Sequence, residues 1–275
     1  MKNLKESVLE EARKGKGLGM KLNLLREALH HLLLQELDRK GGFQQICFLG
    51  GTALRVVYGL DRFSEELDFS KSLNMDKNFD LPSLVNPVQR SLYDFGFECS
   101  IEKMNIETNV KKCFFVFTGL LYELDRSFRK NQKLAIKFDV DSKPPAGAQE
   151  MLSPITGSRV YKVRHYNLPS LFAGKLHAIL FRYYTKGRDL YDFLWYMGKK
   201  VPVNLTLLEN AISQTTGNPT KLDIEGLKHR LQERFEKVDF EKAKKDVEVF
   251  LTDPSSLSLF EKNLFLQSVD SIQIS

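Results

Sequence analysis

The chain has 275 residues, 42% hydrophobic and 28% charged, with a net charge of +6 and a pI of about 9.0. That length holds one large domain or two modest ones, and the composition is that of a globular chain with a sizeable core. No apolar run approaches the roughly 18 residues that cross a bilayer, which excludes a helical membrane protein, and the basic balance favours phosphate-bearing partners.

The amino-terminal stretch MKNLKESVLEEARKGKG is charged and has no apolar h-region. It does not read as a secretory signal, so a cytoplasmic protein is expected. Cys47, Cys99 and Cys113 show no metal-ligand spacing and read as reduced, buried thiols. The lysine clusters at 111–112, 199–200 and 242–245 read as solvated faces.

The first forty residues read as helix with a break at KGKGLG, and Gly41-Gly42 ends that helix. His30 and His31 lie inside it as helix-surface or packing residues. QQICFLG is a short buried strand. LPSLVNPVQRSLYDFG has the apolar spacing of a helix. FECSIEKMNI, KKCFFVFTGLLYEL, KLAIKFDVDS and RVYKVRHYNL read as successive strands. From Pro169 the pattern turns helical: PSLFAGKLHAILFRYYTK, RDLYDFLWYMGKK, NLTLLENAISQT, DIEGLKHRLQERFEKV, FEKAKKDVEVFLTD and SLSLFEKNLFLQSV. The expected class is α+β. A mixed, partly antiparallel sheet flanked by helices occupies residues 1–167, and a helical domain occupies residues 168–275.

The chemistry concentrates in FLGGTALRVVYGLDRFSEELDFS, residues 48–70. A strand that enters Gly50-Gly51 and leaves into a helix is either a tight turn or a phosphate-binding one. The helix start there offers free N–H groups, and Thr52 offers a hydroxyl. In EELDFS, Glu66 and Asp68 alternate with Leu67 and Phe69, so a strand puts both carboxylates on one face. That face is either solvated or a site for Mg²⁺ shared with substrate phosphates. In KLAIKFDVDS, Lys137, Asp139 and Asp141 oppose Leu134, Ile136, Phe138 and Val140. If the two strands are neighbours, Asp139 joins Glu66 and Asp68, while Asp141 sits at the strand end. Arg62 and Ser64 either anchor the turn before the acidic strand or bind phosphate. Lys175, Ala178 and Arg182 follow helical spacing, with Asp189 and Asp192 three apart on the next helix. His165 and His177 have no nucleophile to serve and read as structural.

GGTALRVVYGLDRFSEELDFS resembles the signature of the DNA polymerase β-type nucleotidyltransferases. GGTALR, RFSE and LDFS bring it closer to the AbiEii/AbiGii toxin family. LFAGKLHAILFRYYTKGRDLYDFLWYM resembles that family's second motif, a lysine on one helix followed by Arg-Asp at the next. The resemblance spans roughly residues 45–200. It implies Glu66, Asp68 and Asp139 as ligands of Mg²⁺ or Mn²⁺, and Gly50, Gly51 and Thr52 on the phosphates of a nucleoside triphosphate. It also implies that Lys175 contacts the triphosphate, that Asp189 orients it or contacts the nucleotide, that Arg182 is among the nucleotide-binding residues, and that the helical domain completes the nucleotide site. Where the family has aspartate first, this chain has Glu66, one methylene longer.

The expected activity is transfer of NMP from an NTP to an acceptor; the resemblance implies a toxin of a bacterial toxin–antitoxin or phage-defence system, with RNA, tRNA especially, as acceptor, a cognate antitoxin and no membrane association. Two rivals stand beside it. One is a catalytically weakened nucleotide- or RNA-binding module, which the Glu66 departure motivates. The other is a nucleotidyltransferase acting on a protein or a small molecule.

Overall fold

The computed structural model describes residues 4–73, 75 and 79–275. The chain divides into two compact units. The first holds Met1–Gly59, Phe63–Pro144 and Glu150–His165; the second holds Leu60–Arg62, Pro145–Gln149 and Tyr166–Ser275.

The first unit opens with α1 (Leu4–Arg13) and α2 (Leu18–Arg39), followed by β1 (Ile46–Leu49), α3 (Gly50–Tyr58), β2 (Glu66–Lys71) and α4 (Leu81–Asp94). It continues through β3 (Cys99–Asn105), β4 (Val110–Phe117), α5 (Leu120–Leu124), β5 (Leu134–Asp141), β6 (Glu150–Ile155) and β7 (Tyr161–Tyr166). The strands form one seven-stranded sheet in the order β3-β4-β5-β2-β1-β7-β6. It is mixed: β2–β5 and β1–β7 run parallel, while β1–β2, β3–β4 and β4–β5 run antiparallel.

Period-two patterning sorts the two faces of this sheet. Leu134, Ile136, Phe138 and Val140 of β5 are buried and share one core with the apolar stripes of α1, α2 and α4. A run of rings crosses four strands on that side. Phe48 lies 5.2 Å from Phe69, Phe69 4.7 Å from Phe138, and Phe115 5.8 Å from Phe138. Each such pair contributes about 0.5–1.5 kcal/mol beyond its buried area. Together they fix how the central strands sit against one another. Slipping β5 by one residue against β2 would turn every one of its apolar side chains to the opposite face.

Four elements differ from the sequence reading. KKCFFVFTGLLYEL is not one strand: Gly119, at φ +75, ends β4's path, and Leu120, Leu121 and Leu124 bury themselves as the short helix α5. β6 went unread because it is short and carries Pro154, which suits it to the sheet edge it occupies, where Met151 and Leu152 stay exposed. The helix read through RYYTK stops at Phe181. The three cysteines are free and buried, and burial pushes the Cys99 and Cys113 thiols up to about 12.

The second unit is helical: α6 (Leu168–Phe181), α7 (Gly187–Gly198), α8 (Leu205–Thr216), α9 (Ile224–Glu236), α10 (Phe240–Glu248) and α11 (Lys262–Asp270). SLSLFEKNLFLQSV is thus not one helix, because a 3-10 turn at Pro254–Leu259 precedes α11. The core is aromatic: Phe172 stacks on Tyr196 at 4.3 Å, and Phe193 meets Phe235 at 5.0 Å. Arg234 closes the end of α6 by donating to the Ile179 and Arg182 carbonyls at 2.9 and 2.7 Å, groups a helix end leaves unpaired. Among the described residues no helix is long and apolar enough to cross a membrane.

His30 generates a prediction. Its ring is buried in α2, and Nε2 donates to the Glu65 carbonyl at 3.3 Å. Burial pushes its pKa down to about 3 from an ordinary 6.5. The fold therefore holds the neutral ring, whereas the unfolded chain takes up a proton below pH 6.5. Stability is complete above that pH and falls as the pH drops toward 3, by about 1.4 kcal/mol per pH unit. Urea unfolding at pH 7 and pH 5 should show a smaller loss for His30→Gln than for the wild type.

Candidate active site

β2 and β5 run parallel with Asp68 directly beside Asp139 and Glu66 beside Lys137. This pairing brings together residues far apart in sequence. Glu66, Asp68 and Asp139 each offer an oxygen, all within 4.8 Å of one another. Lys137, on the same face, places Nζ 2.5 Å from Asp139 Oδ2 and 3.5 Å from Glu66 Oε2. Burial opposes the lysine's charge, but the hydrogen bond to Asp139 and the fields of Glu66 and Asp68 outweigh it and hold its pKa above the ordinary value. Asp139 Oδ1 is buried with no hydrogen-bond partner. A carboxylate oxygen in that state costs stability unless something positive meets it. Three hard oxygen donors and an unsatisfied one among them fit a divalent cation such as Mg²⁺ or Mn²⁺.

The glycine turn lies against the same face. β1 pairs with β2 so that Leu49 stands opposite Asp68, and α3 begins at the next residue. Gly50 has φ +78, and a Cβ there would meet Asp68 Oδ2 at 2.5 Å. Only glycine lets the backbone come this close to the carboxylate.

Thr52 corrects an expectation. Its side chain is buried and its hydroxyl donates to the Glu66 carbonyl, so it ties α3 to β2 and is not turned toward a phosphate. Arg55 of the same motif pairs with Glu27 of α2 at 2.5 Å. Glu65 faces Arg26 of α2 at 3.7 Å, out of phase with the triad. Asp141 ends β5 and accepts from the Lys143 N–H at 2.9 Å, outside the triad. Ser64 is half-buried two residues before β2. His165 holds Tyr58 and Ser153 at 3.1 and 2.9 Å.

The second unit carries its own charge network. Lys175 of α6 lies 2.7 Å from Asp189 Oδ1 and 2.8 Å from Asp192 Oδ2. Arg62 reaches Asp192 through two bonds of 2.6 Å, and Arg182 pairs with Asp189. Arg62 and Asp192 are fully buried. Arg62 was a candidate phosphate ligand; its guanidinium instead makes a bidentate anchor inside the unit. Burial works against the charges of Lys175 and Asp189, yet their mutual attraction wins. Lys175 is held above its ordinary pKa, and Asp189, with Arg182 adding to the pull, below its own. Arg182 follows the last residue of α6 with its side chain 42% exposed. His177 bonds Thr215 at 2.8 Å. Asp192 was legible only as a residue three beyond Asp189; its place between Lys175 and Arg62 emerges from the fold.

Adjacent acidic strands beside a glycine turn that starts a helix make a face suited to a metal-bound phosphate. Residues 31–262 match the family described as nucleotidyl transferase AbiEii toxin, type IV toxin–antitoxin system, and the chain belongs to that family. It is therefore a nucleotidyltransferase whose family implies a nucleotide substrate and an antitoxin partner. Among solved structures, JHP933 from Helicobacter pylori aligns with a TM-score of 0.50 and 18% identity, over 90% of this chain and 93% of that one. This likeness shows a shared fold. A second H. pylori structure, described as a candidate nucleotidyltransferase, aligns with a TM-score of 0.48 and 17% identity, over 88% and 96% of the two chains. Comparison with curated proteins found no match.

The glycine turn yields a paired prediction. Gly59 also has positive φ, +72, but a Cβ there meets nothing within 4 Å. Gly59→Ala should cost about 1–2 kcal/mol for the left-handed backbone alone. Gly50→Ala should cost more, because Asp68 must also move. Denaturant unfolding of the two variants measures the difference.

Proposed function

We propose that the chain transfers NMP from a nucleoside triphosphate to an acceptor hydroxyl, with RNA, and tRNA in particular, as the acceptor class. The observation that carries this reading is the buried, unpartnered Asp139 Oδ1 within a triad of carboxylates. A divalent cation bound there, Mg²⁺ or Mn²⁺, would neutralise charge developing on the triphosphate and ease deprotonation of the attacking hydroxyl.

On this reading each residue has a task. Asp68 and Asp139 supply oxygens from neighbouring strands, which fixes their separation through backbone pairing. Glu66 reaches the same point with its extra methylene. Gly50 lets the start of α3 lie against Asp68, and the N–H groups of α3's first turn, Gly51 among them, favour an anion such as phosphate. The family resemblance gives Lys175 a role toward the triphosphate, and within its own unit Asp189 and Asp192 hold its ammonium while Arg182 pairs with Asp189. The acceptor oxygen replaces the oxygen that bridges the α- and β-phosphorus atoms, and pyrophosphate leaves.

The net charge of +6 supports a polyanionic acceptor. NTP and RNA meet in the cytoplasm, which is where this reaction belongs. The cognate antitoxin restrains it there.

Calorimetric titration of each of the four NTPs with Mg²⁺ tests the reading. One NTP should bind the wild type. Asp68→Ala and Lys175→Ala should each weaken it by about tenfold or more, the scale of a lost bond to a charged group. Absence of NTP binding under every metal condition would overturn the proposal.

A further inference from the structure

The carboxylate triad is not bare. Lys137 stands two residues before Asp139 on β5, opposite Glu66, while Asp139 stands opposite Asp68. The four side chains make a checkerboard of three anions and one cation on one sheet face. The ammonium sits on Asp139 Oδ2 at 2.5 Å and near Glu66 Oε2 at 3.5 Å. These oxygens belong to the residues a metal would use. We propose, building on the metal-centre reading above, that Lys137 is the built-in counter-ion of the triad, displaced by the metal and transferred to the phosphates of the nucleotide.

Geometry sets the competition. Mg²⁺ binds its oxygens at about 2.0–2.1 Å and demands an ordered shell around itself. An ammonium 2.5 Å from Asp139 Oδ2 occupies space that such a shell needs. Charge gives the same answer, because a cation among three carboxylates offsets their repulsion and is itself repelled by an arriving metal. The lysine can leave without disturbing the strand. It carries its charge on a flexible four-carbon stem, and its side chain is 30% exposed.

Its destination is limited. On the β4 side, Phe114 stands opposite Lys137, and Lys112 stands opposite Asp139. Lys112 is exposed. A displaced ammonium moving that way meets a ring and another cation, and no carboxylate of β4. A triphosphate arriving with the metal brings the anion that the lysine lacks. Free metal is then a poor ligand and metal–nucleotide a good one, so the site fills only when substrate is present.

The test is Mn²⁺ binding by calorimetry, without nucleotide, to the wild type, Lys137→Met, Lys137→Gln and Asp68→Ala. Both lysine variants should bind Mn²⁺ about fivefold more tightly than the wild type or better, since a repelling charge is gone. They should also bind the nucleotide at saturating Mn²⁺ more weakly. In EDTA they should melt below the wild type, and Mn²⁺ should raise their midpoint by more than it raises the wild type's. That gain would still be read if either variant is only partly folded without metal. Mn²⁺ binding that Asp68→Ala loses but the Lys137 variants leave unchanged or weaken would overturn this proposal alone. Tighter metal binding with undiminished nucleotide binding would overturn the transfer to phosphate. No Mn²⁺ binding by any of the four proteins would overturn the metal centre itself, and this proposal with it.

Discussion

The parallel register of β2 against β5 is the constraint on which the candidate site depends. It sets Asp68 beside Asp139 and Glu66 beside Lys137 on one face. On the other face it sets Phe69 against Phe138 at 4.7 Å. The two faces are coupled because a strand alternates its side chains strictly. Apolar packing below therefore decides where the carboxylates stand above. The triad repels itself, so it would not assemble on electrostatics alone. Burial of the Phe48–Phe69–Phe138–Phe115 run, with α2 and α4 over it, supplies the stabilisation that holds the carboxylates together.

The two units treat buried charge differently. In the second, every partner is matched: Lys175 and Arg62 share Asp192, and Lys175 and Arg182 share Asp189. Removing Asp192 would take the bidentate carboxylate from the buried Arg62 guanidinium, a loss of about 3–5 kcal/mol, and the shared carboxylates give α6 and α7 a fixed relation. In the first unit, three carboxylates face one lysine, and Asp139 Oδ1 has no partner. That excess of anionic oxygen has a ligand as its natural complement. The matched network is a scaffold for Lys175, and the triad, where Asp139 Oδ1 has no partner, is where added positive charge lowers the energy.

The sequence disclosed the elements and the faces, and less of the contacts. Alternation in EELDFS and KLAIKFDVDS reported which side chains share a face, because period two is local. Gly50-Gly51 reported the strand-to-helix turn for the same reason. Adjacency of β2 and β5 was only conditional, since β3, β4 and two helices intervene. Thr52 and Arg62 looked like ligands because polar residues beside a glycine turn and an acidic strand resemble them. Both are buried and bonded within the protein, and burial of a lone polar residue leaves no periodic trace. β6 was missed for the proline within its six residues, and α5 because a strand and a helix of similar apolar content adjoin at Gly119. Lys137 was visible on the acidic face, but its contact with the triad needed coordinates.

The most direct test of the account is transfer of label from α-³²P- and γ-³²P-labelled NTP to a bacterial RNA pool, with Mg²⁺, by the wild type and Asp139→Asn. The account predicts α-label on RNA, release of γ-label as pyrophosphate, and loss of both with Asp139→Asn. Label arriving from the γ-position, or α-label transfer that Asp139→Asn leaves intact, would contradict it.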